Sequence, residues 1–339
     1  MTIQEFIPLA PLTTLKIGGA ARYLVEVNSL TTLQEALAFA ATKKLPHFIL
    51  GGGSNVLISD LGYPGVVLRM SVPGIEWRED GEHILATVGS GVSWDAFVEA
   101  AVRNLAWGVE NLSGIPGTVG ASPIQNIGAY GKEASHIVEW VEVYDTEIGS
   151  VRVLPNAECA FSYRDSIFKH REGKGFIVTR VGFRLTKRET PDLKYKDVAE
   201  YFGKRSAPPS LEEIRQAILE IRAKKFPELK THGTAGSFFK NPILSAKEAE
   251  QFLGNYPDAP HYALSDGRVK FPTGWILDHV LHLRGMRKGE IGSWDTQALV
   301  LVNYGSATAK ELKAFAREIQ YQVATKTNIL LEPEVVFVE

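Results

Sequence analysis

The first residues suited to chemistry form a short run, Gly51-Gly52-Gly53-Ser54-Asn55, that follows a predicted buried strand. Glycine lets a ligand approach the main chain closely, and successive small residues expose several backbone N–H groups in one direction. Such a nest binds anions, so the run indicates a pyrophosphate site. A tight turn has the same composition, and the run alone does not distinguish the two.

A second candidate is the segment Ser113–Gly131, which carries five glycines and two prolines and has neither a helical nor a strand period. An irregular stretch of this length is uncommon inside a compact domain unless it binds something. Apolar residues spaced along it are suited to walling a flat aromatic ligand; they are Ile115, Val119, Ile124 and Ile127. We expect a binding loop here, with an ordered structural loop as the alternative.

Three further motifs hold single side chains suited to acid–base or anion chemistry. The arginine of Tyr163-Arg164-Asp165-Ser166 can present its planar guanidinium to a carboxylate or enolate, but the tetrapeptide alone favours a salt bridge to an acid such as Asp165.

The Ser237 hydroxyl is left unshielded by its small neighbours in the string Ala235-Gly236-Ser237-Phe238-Phe239-Lys240-Asn241-Pro242. The string lacks the G-x-S-x-G pattern of a hydrolase, which favours a proton donor over a nucleophile. Leu331-Glu332-Pro333-Glu334-Val335 places two acids before a predicted terminal strand.

Other motifs are incomplete. Gly51-x-Gly53 lacks the third glycine of a dinucleotide fingerprint, because Val56 occupies its place, and Asn126 stands where a P-loop needs glycine. His279-x-x-His282 lies on a predicted helix without a third ligand nearby, so no metal site is predicted. Cys159 is expected to be a small buried hydrophobe.

Periodicity and capping signals predict the elements that must position these motifs. Strands are expected at residues 21–27, 47–50, 66–69, 84–88, 137–144, 151–154, 175–185, 298–302 and 334–338. Helices are expected at residues 30–42, 94–104, 211–226, 245–253, 275–283 and 308–325. Polar, proline-rich seams lie at 187–191 and 206–209. Because strands and helices mix without strict alternation, the predicted fold class is α+β.

Composition excludes several classes of protein. Thirty-seven Lys and Arg residues against 39 Asp and Glu give a formal charge of −2, which argues against a general nucleic-acid binder. No apolar run approaches the roughly 18 residues of a membrane span. The single cysteine excludes an internal disulfide and fits a reducing compartment. Residues 1–5 show no basic region before an apolar stretch, so no secretory signal is expected, and a cytoplasmic location is predicted.

Taken together, the motifs closely resemble those of the UDP-N-acetylenolpyruvoylglucosamine reductase family, flavoenzymes that complete UDP-N-acetylmuramate in bacterial peptidoglycan synthesis. The resemblance runs from Thr13 to Glu334, and SGIPGTVGASPIQNIGAYG and AGSFFKNP are its most specific strings. It implies a vanillyl-alcohol-oxidase (PCMH) type FAD-binding fold in two subdomains, residues 1–72 and 73–220, the first joined by residues 326–339. It also implies an α+β substrate domain at 221–325.

The resemblance further implies non-covalent FAD, with NADPH as co-substrate and no metal. The implied FAD contacts are Gly51, Gly52, Gly53, Ser54, Asn55, Ile115, Pro116, Gly117, Thr118, Ser122, Ile124 and Gly128. Substrate contacts are implied at Tyr163, Tyr195, Lys225, Asn241, Tyr262, Lys270, Arg284 and Gln297, with Tyr262 on the loop typical of the larger structural class. Arg284 stands where many relatives have lysine, and Val336 where relatives often have arginine.

The catalytic residues implied are Ser237, Arg164 and Glu334. On this resemblance hydride reaches C3 of the enol ether, Arg164 stabilises the resulting enolate charge, and Ser237 delivers a proton to C2 with Lys240 as a helper. Glu334 must then be protonated, since a bare carboxylate would repel the enolate. A monomer is expected. The competing interpretations are an FAD-dependent oxidase of an alcohol or sugar lactone and a non-catalytic sugar-nucleotide sensor.

Overall fold

The structure is a computed structural model that describes residues 1–205 and 207–339, so Ser206, in the second predicted seam, lies outside the described residues. The first strands are β1 (Ile3–Pro8), β2 (Ala20–Val27), β3 (His47–Leu50), β4 (Val56–Ile58), β5 (Tyr63–Met70), β6 (Ile75–Asp80), β7 (His83–Gly89), β8 (Gly128–Ala129), β9 (Lys132–Glu133), β10 (Val138–Asp145), β11 (Ser150–Pro155) and β12 (Phe176–Thr186). The remaining strands are β13 (Gly233–Ser237), β14 (Ile243–Leu244), β15 (Tyr262–Ala263), β16 (Val269–Lys270), β17 (Arg287–Lys288), β18 (Ile291–Trp294), β19 (Gln297–Asn303) and β20 (Val336–Val338). The helices are α1 (Leu30–Thr42), α2 (Trp94–Arg103), α3 (Lys196–Phe202), α4 (Leu211–Lys225), α5 (Ala246–Asn255), α6 (Thr273–His279) and α7 (Ala309–Thr327).

The chain divides into two compact units. The first unit consists of Met1–Ile7, Ala21–Gly53 and Pro64–Ala223, and the second consists of Pro8–Ala20, Ser54–Tyr63 and Lys224–Glu339. Residues 8–20 and 54–63 therefore fold with the second unit, although the sequence groups them with residues 1–72. The three-part division at 72, 220 and 325 stays a prediction.

The first unit contains a four-stranded sheet in the order β1-β2-β5-β3, in which β3 and β5 are parallel. Helix α1 begins after Ser29, whose hydroxyl accepts the Thr32 N–H at 3.1 Å. Its buried residues Leu33, Ala36 and Ala40 recur at helical spacing and join a hydrophobic cluster with residues of β2 and β5. The predicted strand–helix–strand unit at 21–50 is confirmed.

A second sheet of the first unit has five strands in the order β11-β10-β12-β7-β6, and every neighbouring pair is antiparallel. Its core contains Trp94 and Phe97 of α2, with the Phe97 ring stacked on Phe183 at 4.5 Å between centroids. The predicted hairpin at 137–154 is confirmed as β10 and β11. The segment from residue 110 to 131 contains two 3₁₀ turns and the two-residue strand β8 and is otherwise irregular. This agrees with the prediction that it has neither a helical nor a strand period.

The second unit contains a four-stranded sheet, β13-β19-β18-β17, a three-stranded sheet, β14-β16-β15, and a parallel pair formed by β4 and β20. The predicted terminal strand at 334–338 is shorter, because pairing with β4 begins at Val336. In the part of the chain that the structure describes, no helix has the length and apolar character needed to cross a bilayer.

Helix α6 ends at His279, four residues before the predicted end at 283. His282 adopts a left-handed backbone with φ of +53°, and the Leu283 N–H bonds back to the Leu277 carbonyl. The prediction that His282 lies on the same helix as His279 is therefore wrong. Across residues 1–205 and 207–339 no group of three potential metal ligands is present.

Candidate active site

The short glycine run lies directly against the long glycine-rich loop. A Cβ added to Gly51 would lie 2.7 Å from Thr118 Oγ1, and one added to Gly52 would lie 2.7 Å from the Gly117 Cα. Neither position has room for a side chain, so the two segments approach each other through their backbones. Two motifs that the sequence indicated separately therefore form one surface of the first unit. Ser54 and Asn55 belong to the second unit.

Two buried hydroxyls lie beside this surface. Within the described residues, neither Thr118 Oγ1 nor Ser90 Oγ has a hydrogen-bond partner. Ser90 is fully buried beside Gly120, whose N–H donates to the Ser90 carbonyl at 2.9 Å. A buried hydroxyl left unpaired costs about 1–3 kcal/mol, which a bound polar group removes. Unpaired hydroxyls next to a backbone made of glycines are suited to binding the polar groups of a dinucleotide cofactor such as FAD.

The long loop is held in shape by residues whose role the sequence did not reveal. Asn126, fully buried with φ of +47°, donates to Glu133 Oε2 at 2.8 Å and to the Ser162 carbonyl at 3.0 Å. Its side-chain oxygen accepts the Ser135 N–H at 2.9 Å. The Ser166 hydroxyl donates to the Ile124 carbonyl at 2.6 Å. The sequence had shown Asn126 only as a mismatch to a P-loop, although a buried amide in a glycine-rich segment is a usable signal of such bonding.

Arg164 lies against the same loop. Its Nη2 donates to the Gly128 carbonyl at 2.8 Å, and a Cβ added to Gly128 would lie 3.0 Å from its Nη1. Asp165 instead bonds His170, with 2.8 Å between Oδ2 and Nε2. Burial would raise the pKa of Asp165, but the hydrogen bonds from His170 and the Ser166 backbone, together with the charges of His170 and Lys169, lower it. The salt bridge to Arg164 that the tetrapeptide favoured stays a prediction.

Ser237 lies at the end of β13, beyond a bulge in its pairing with β19. Gly236 in the bulge has φ of +76°, and its N–H donates to Thr234 Oγ1 at 3.1 Å. The Thr234 hydroxyl in turn donates to the Leu301 carbonyl at 2.8 Å. A bulge re-aims the next side chain, and the left-handed backbone at this position favours glycine. The tiny residues before Ser237 therefore set the direction of its side chain as well as leaving it unshielded.

Glu334 pairs with the residue that follows Ser237. Its N–H donates to the Phe238 carbonyl at 2.8 Å, while the Asn55 side-chain amide donates to the Glu334 carbonyl at 3.0 Å. Two residues on, the Lys240 N–H donates to the Glu332 carbonyl at 2.9 Å. The two predicted catalytic residues of the second unit are thus brought together by an antiparallel crossing of distant segments.

Lys240 forms an ion pair with the first acid before β20. Its Nζ lies 2.5 Å from Glu332 Oε1, and its side chain is mostly buried. The two acids before β20 therefore have different contacts: Glu332 neutralises a lysine, and Glu334 lies next to Phe238. A role for Lys240 in helping Ser237 stays a prediction.

Two predicted substrate residues lie on a hairpin. Strands β15 and β16 pair antiparallel, with Tyr262 opposite Lys270, and the Lys270 Nζ lies 5.9 Å from the centroid of the Tyr262 ring. Tyr262 is 55% exposed. The loop between Tyr256 and Lys270 is thus a short hairpin that presents an accessible phenol.

The other predicted substrate residues have diverse local partners. Asn241 Oδ1 accepts the Thr273 N–H at 2.9 Å. Gln297 lies close to Gly274, because a Cβ added to Gly274 would be 2.7 Å from Gln297 Oε1. The Lys225 carbonyl accepts the Thr296 hydroxyl at 3.3 Å, and Arg284 pairs with Asp278.

In the first unit, the predicted substrate residues are the aromatic Tyr163 and Tyr195. The Arg164 guanidinium lies over the ring of Tyr163, 5.4 Å from its centroid. Tyr195, 41% exposed, meets Tyr130 edge to face at 5.3 Å. Tyr130 lies near the end of the long loop, so Tyr195 packs against the same segment that contacts Arg164.

Known proteins resemble this chain along its whole length. A family model described as an FAD binding domain matches residues 21–154, and one described as the C-terminal domain of UDP-N-acetylenolpyruvoylglucosamine reductase matches residues 228–338. The UDP-N-acetylenolpyruvoylglucosamine reductase of Chromobacterium violaceum is 40% identical over 339 residues, covering 98% of this chain and 99% of that protein. That of Yersinia pestis is 40% identical, covering 97% of this chain and 94% of that protein.

A crystal structure of UDP-N-acetylenolpyruvylglucosamine reductase from Thermus caldophilus superposes with a TM-score of 0.70 at 26% identity, covering 100% of both chains. Together with the two domain matches, this similarity confirms the predicted fold class, an α+β chain with an FAD-binding domain followed by a C-terminal α+β domain.

Proposed function

We propose that this chain, which belongs to the UDP-N-acetylenolpyruvoylglucosamine reductase family, reduces UDP-N-acetylglucosamine enolpyruvate to UDP-N-acetylmuramate. The resemblance predicted from its motifs is confirmed by these relatives. The chain is an oxidoreductase that uses FAD and NADPH, and its product is a precursor for peptidoglycan. The observation that supports the chemical part of the proposal is the strand crossing in which the Glu334 N–H donates to the carbonyl of Phe238, the residue after Ser237.

The first unit has the residues needed to hold FAD. Bound there, the cofactor supplies hydride obtained from NADPH. We assign its pyrophosphate to the backbone of Gly51–Asn55, supported by the lack of room for a Cβ at Gly51 and Gly52 and by the orphaned Thr118 hydroxyl. The flanking contacts in this proposal are Ile115, Pro116, Gly117, Ser122, Ile124 and Gly128.

Arg164 is proposed to stabilise the negative charge that develops on the substrate carboxylate and C2. A guanidinium has five N–H donors in one plane, and the bond to the Gly128 carbonyl fixes the orientation of that plane. A preoriented cation needs no reorganisation when charge appears, which is the main source of electrostatic catalysis.

Ser237 is proposed to deliver the proton that completes the reduction. Addition of hydride to C3 and of a proton to C2 saturates the enol ether, so one general acid suffices. Phe238 and Phe239, both 1% exposed, exclude water from the segment that follows the serine. Glu334 is proposed to act protonated beside the developing enolate, because a carboxylate there would oppose the charge that Arg164 stabilises.

The substrate contacts of the proposal divide by chemistry. Lys225, Lys270 and Arg284 carry the positive charge that a diphosphate requires. Tyr262 has an exposed hydroxyl able to donate to a phosphate oxygen. The remaining contacts offer aromatic faces or amides suited to the uridine and sugar; they are Tyr163, Tyr195, Asn241 and Gln297.

Isotope labelling tests this function directly. Purified full-length protein is incubated without oxygen with NADPH deuterated at C4 of the nicotinamide and with the enolpyruvyl sugar nucleotide, and the product is analysed by mass spectrometry and NMR. We expect deuterium at C3 of the lactyl group and, in a separate reaction in D₂O with unlabelled NADPH, at C2. Flavin reduced by an alcohol or lactone and not by NADPH would instead favour the oxidase alternative. Binding of the UDP-sugar without turnover would favour the sensor.

The proposal also covers the oligomeric state and the cellular location of the protein. We propose a monomer in the cytoplasm, and the one fully buried free cysteine supports a reducing compartment. Light scattering coupled to size exclusion is expected to give a mass near 37.3 kDa, and a doubled mass would contradict the monomer.

A further inference from the structure

The start of the long loop is fastened to the first turn of α2. The Trp94 backbone N–H donates to the Gly117 carbonyl at 3.0 Å, and its indole N–H donates to the Leu112 carbonyl at 2.9 Å. The next residue, Asp95, accepts the Gly114 N–H through Oδ1 at 2.6 Å. Residues on both sides of Ile115 and Pro116 are thus bonded to one helix end.

Asp95 is itself held from a second helix. Arg215 of α4 donates to both carboxylate oxygens, with Nη1 2.7 Å from Oδ1 and Nη2 2.9 Å from Oδ2. Burial would raise the pKa of Asp95, but the hydrogen bonds from Arg215 and Gly114 and the charges of Arg215 and Arg222 together lower it. The carboxylate is therefore charged at neutral pH and fixed in one orientation by a bidentate pair.

The pair differs from the surface ion pairs of the first unit. The Arg215 side chain is 10% exposed and that of Asp95 36%, whereas both partners of the pair between Arg69 and Glu26 are more than 40% exposed. Exposed pairs contribute little to stability, while a bidentate pair with a buried guanidinium fixes geometry. Gly114, the residue that Asp95 holds, has φ of +69°, and a Cβ there would meet Leu219 of α4 at 2.8 Å.

We propose that Asp95 and Arg215 are a positioning pair for FAD: they fix the backbone at Gly114–Gly117 and so determine how long the cofactor stays bound. This inference rests on the proposed placement of the cofactor along the loop. The pair acts through the Gly114 N–H, which donates to the Asp95 carboxylate. Without the pair, Gly114 can adopt other backbone conformations, and FAD binding then has to order the loop.

Cofactor release from the holoprotein tests the proposal. Flavin-loaded protein is diluted into flavin-free buffer, and the rise in FAD fluorescence gives the dissociation rate. Asp95→Asn removes the charge at constant shape, and Arg215→Lys keeps the charge without the planar fork. We expect each to release FAD roughly 10- to 100-fold faster than wild type, as follows from losing one hydrogen bond to a charged group. Glu26→Gln, the matched change at an exposed pair, is expected to leave the rate unchanged.

A purely structural role would give a different pattern. It predicts a lower melting temperature of the flavin-free protein in both variants with an unchanged release rate, and that result would overturn the proposal. The double variant supplies a second criterion: release no faster than in the faster single variant supports a shared contact, whereas multiplied effects contradict it. If wild-type protein retains no FAD, the proposed function fails as well; if it retains FAD and the variants release it at the wild-type rate, only the positioning pair fails.

Discussion

Arg164 and Gly128 form a direct contact in which the guanidinium donates to the glycine carbonyl at 2.8 Å. Two neighbouring side chains leave no room for a larger residue at position 128. An added Cβ would lie 3.0 Å from Arg164 Nη1 and 2.9 Å from the Glu133 Cγ. One residue without a side chain thus shapes the loop and positions the proposed catalytic cation.

Gly128→Val is expected to give protein that folds but contains little flavin, because the valine must displace Arg164 or Glu133. The ratio of flavin to protein absorbance measures occupancy, and circular dichroism checks the fold. Gly254→Val in α5 is the control, since nothing lies within 4 Å of a Cβ added there. Full flavin occupancy in the Gly128 variant would contradict the placement of the cofactor along this loop.

Ser237→Ala is expected to separate the two half-reactions. Reduction by NADPH requires no proton at the substrate, so its rate stays near that of wild type in anaerobic stopped-flow at the flavin band. Reoxidation by the enolpyruvyl sugar nucleotide should slow by about 10²–10⁴, the usual contribution of a general acid. Ser237→Cys should restore part of this loss, because a thiol can also donate a proton. Reoxidation of the alanine variant at the wild-type rate would show that another group is the acid.

Tyr262→Phe is expected to raise the KM for the sugar nucleotide and to leave reduction by NADPH unchanged. A hydrogen bond to a charged phosphate contributes about 1.5–3 kcal/mol, which corresponds to roughly 10- to 150-fold in KM. Tyr321→Phe on α7 is the control, since that side chain is 73% exposed. Equal changes in both half-reactions would indicate a structural role for Tyr262.

Asp60→Ala is expected to destabilise the second unit. Asp60 accepts the Ala309 N–H at 2.7 Å and the Lys310 N–H at 3.0 Å, so it caps the first turn of α7 from a remote segment. Losing such a cap costs about 0.5–2 kcal/mol, measurable by denaturant unfolding. Asp258→Ala, at an exposed position, serves as the control. An unfolding free energy equal to that of wild type would mean that the Thr308–Glu311 capping box suffices.

Elements defined by local signals were predictable from the sequence. Helices α5 and α7 begin at capping boxes formed by Ser245 with Glu248 and Thr308 with Glu311. Strands β1 and β6 were not predicted, because most of their residues are exposed and they form by pairing at the edge of a sheet. Their sequences carry no alternating apolar pattern strong enough to signal a strand.

The same distinction applies to the site. The types of Ser237, Arg164 and Glu334 were readable, because each lies in an unusual local string. Their partners were not, since Phe238 meets Glu334 and Arg164 meets Gly128 through contacts between segments distant in sequence. Periodicity reports on neighbours along the chain, whereas the contact between Arg164 and Gly128 depends on tertiary structure.

The parallel pairing of β4 with β20 has a consequence for the order of events during synthesis. Residues 56–58 leave the ribosome long before residues 336–338, so β4 must wait without its partner while the intervening chain is made. The last segment of the first unit ends at Ala223, so all residues of this unit are made before most of the second unit, and the first unit can fold first. The Ser237 segment acquires its neighbour Glu334 only after the intervening residues have been made. The proposed proton-donating site is therefore completed later than the proposed cofactor loop.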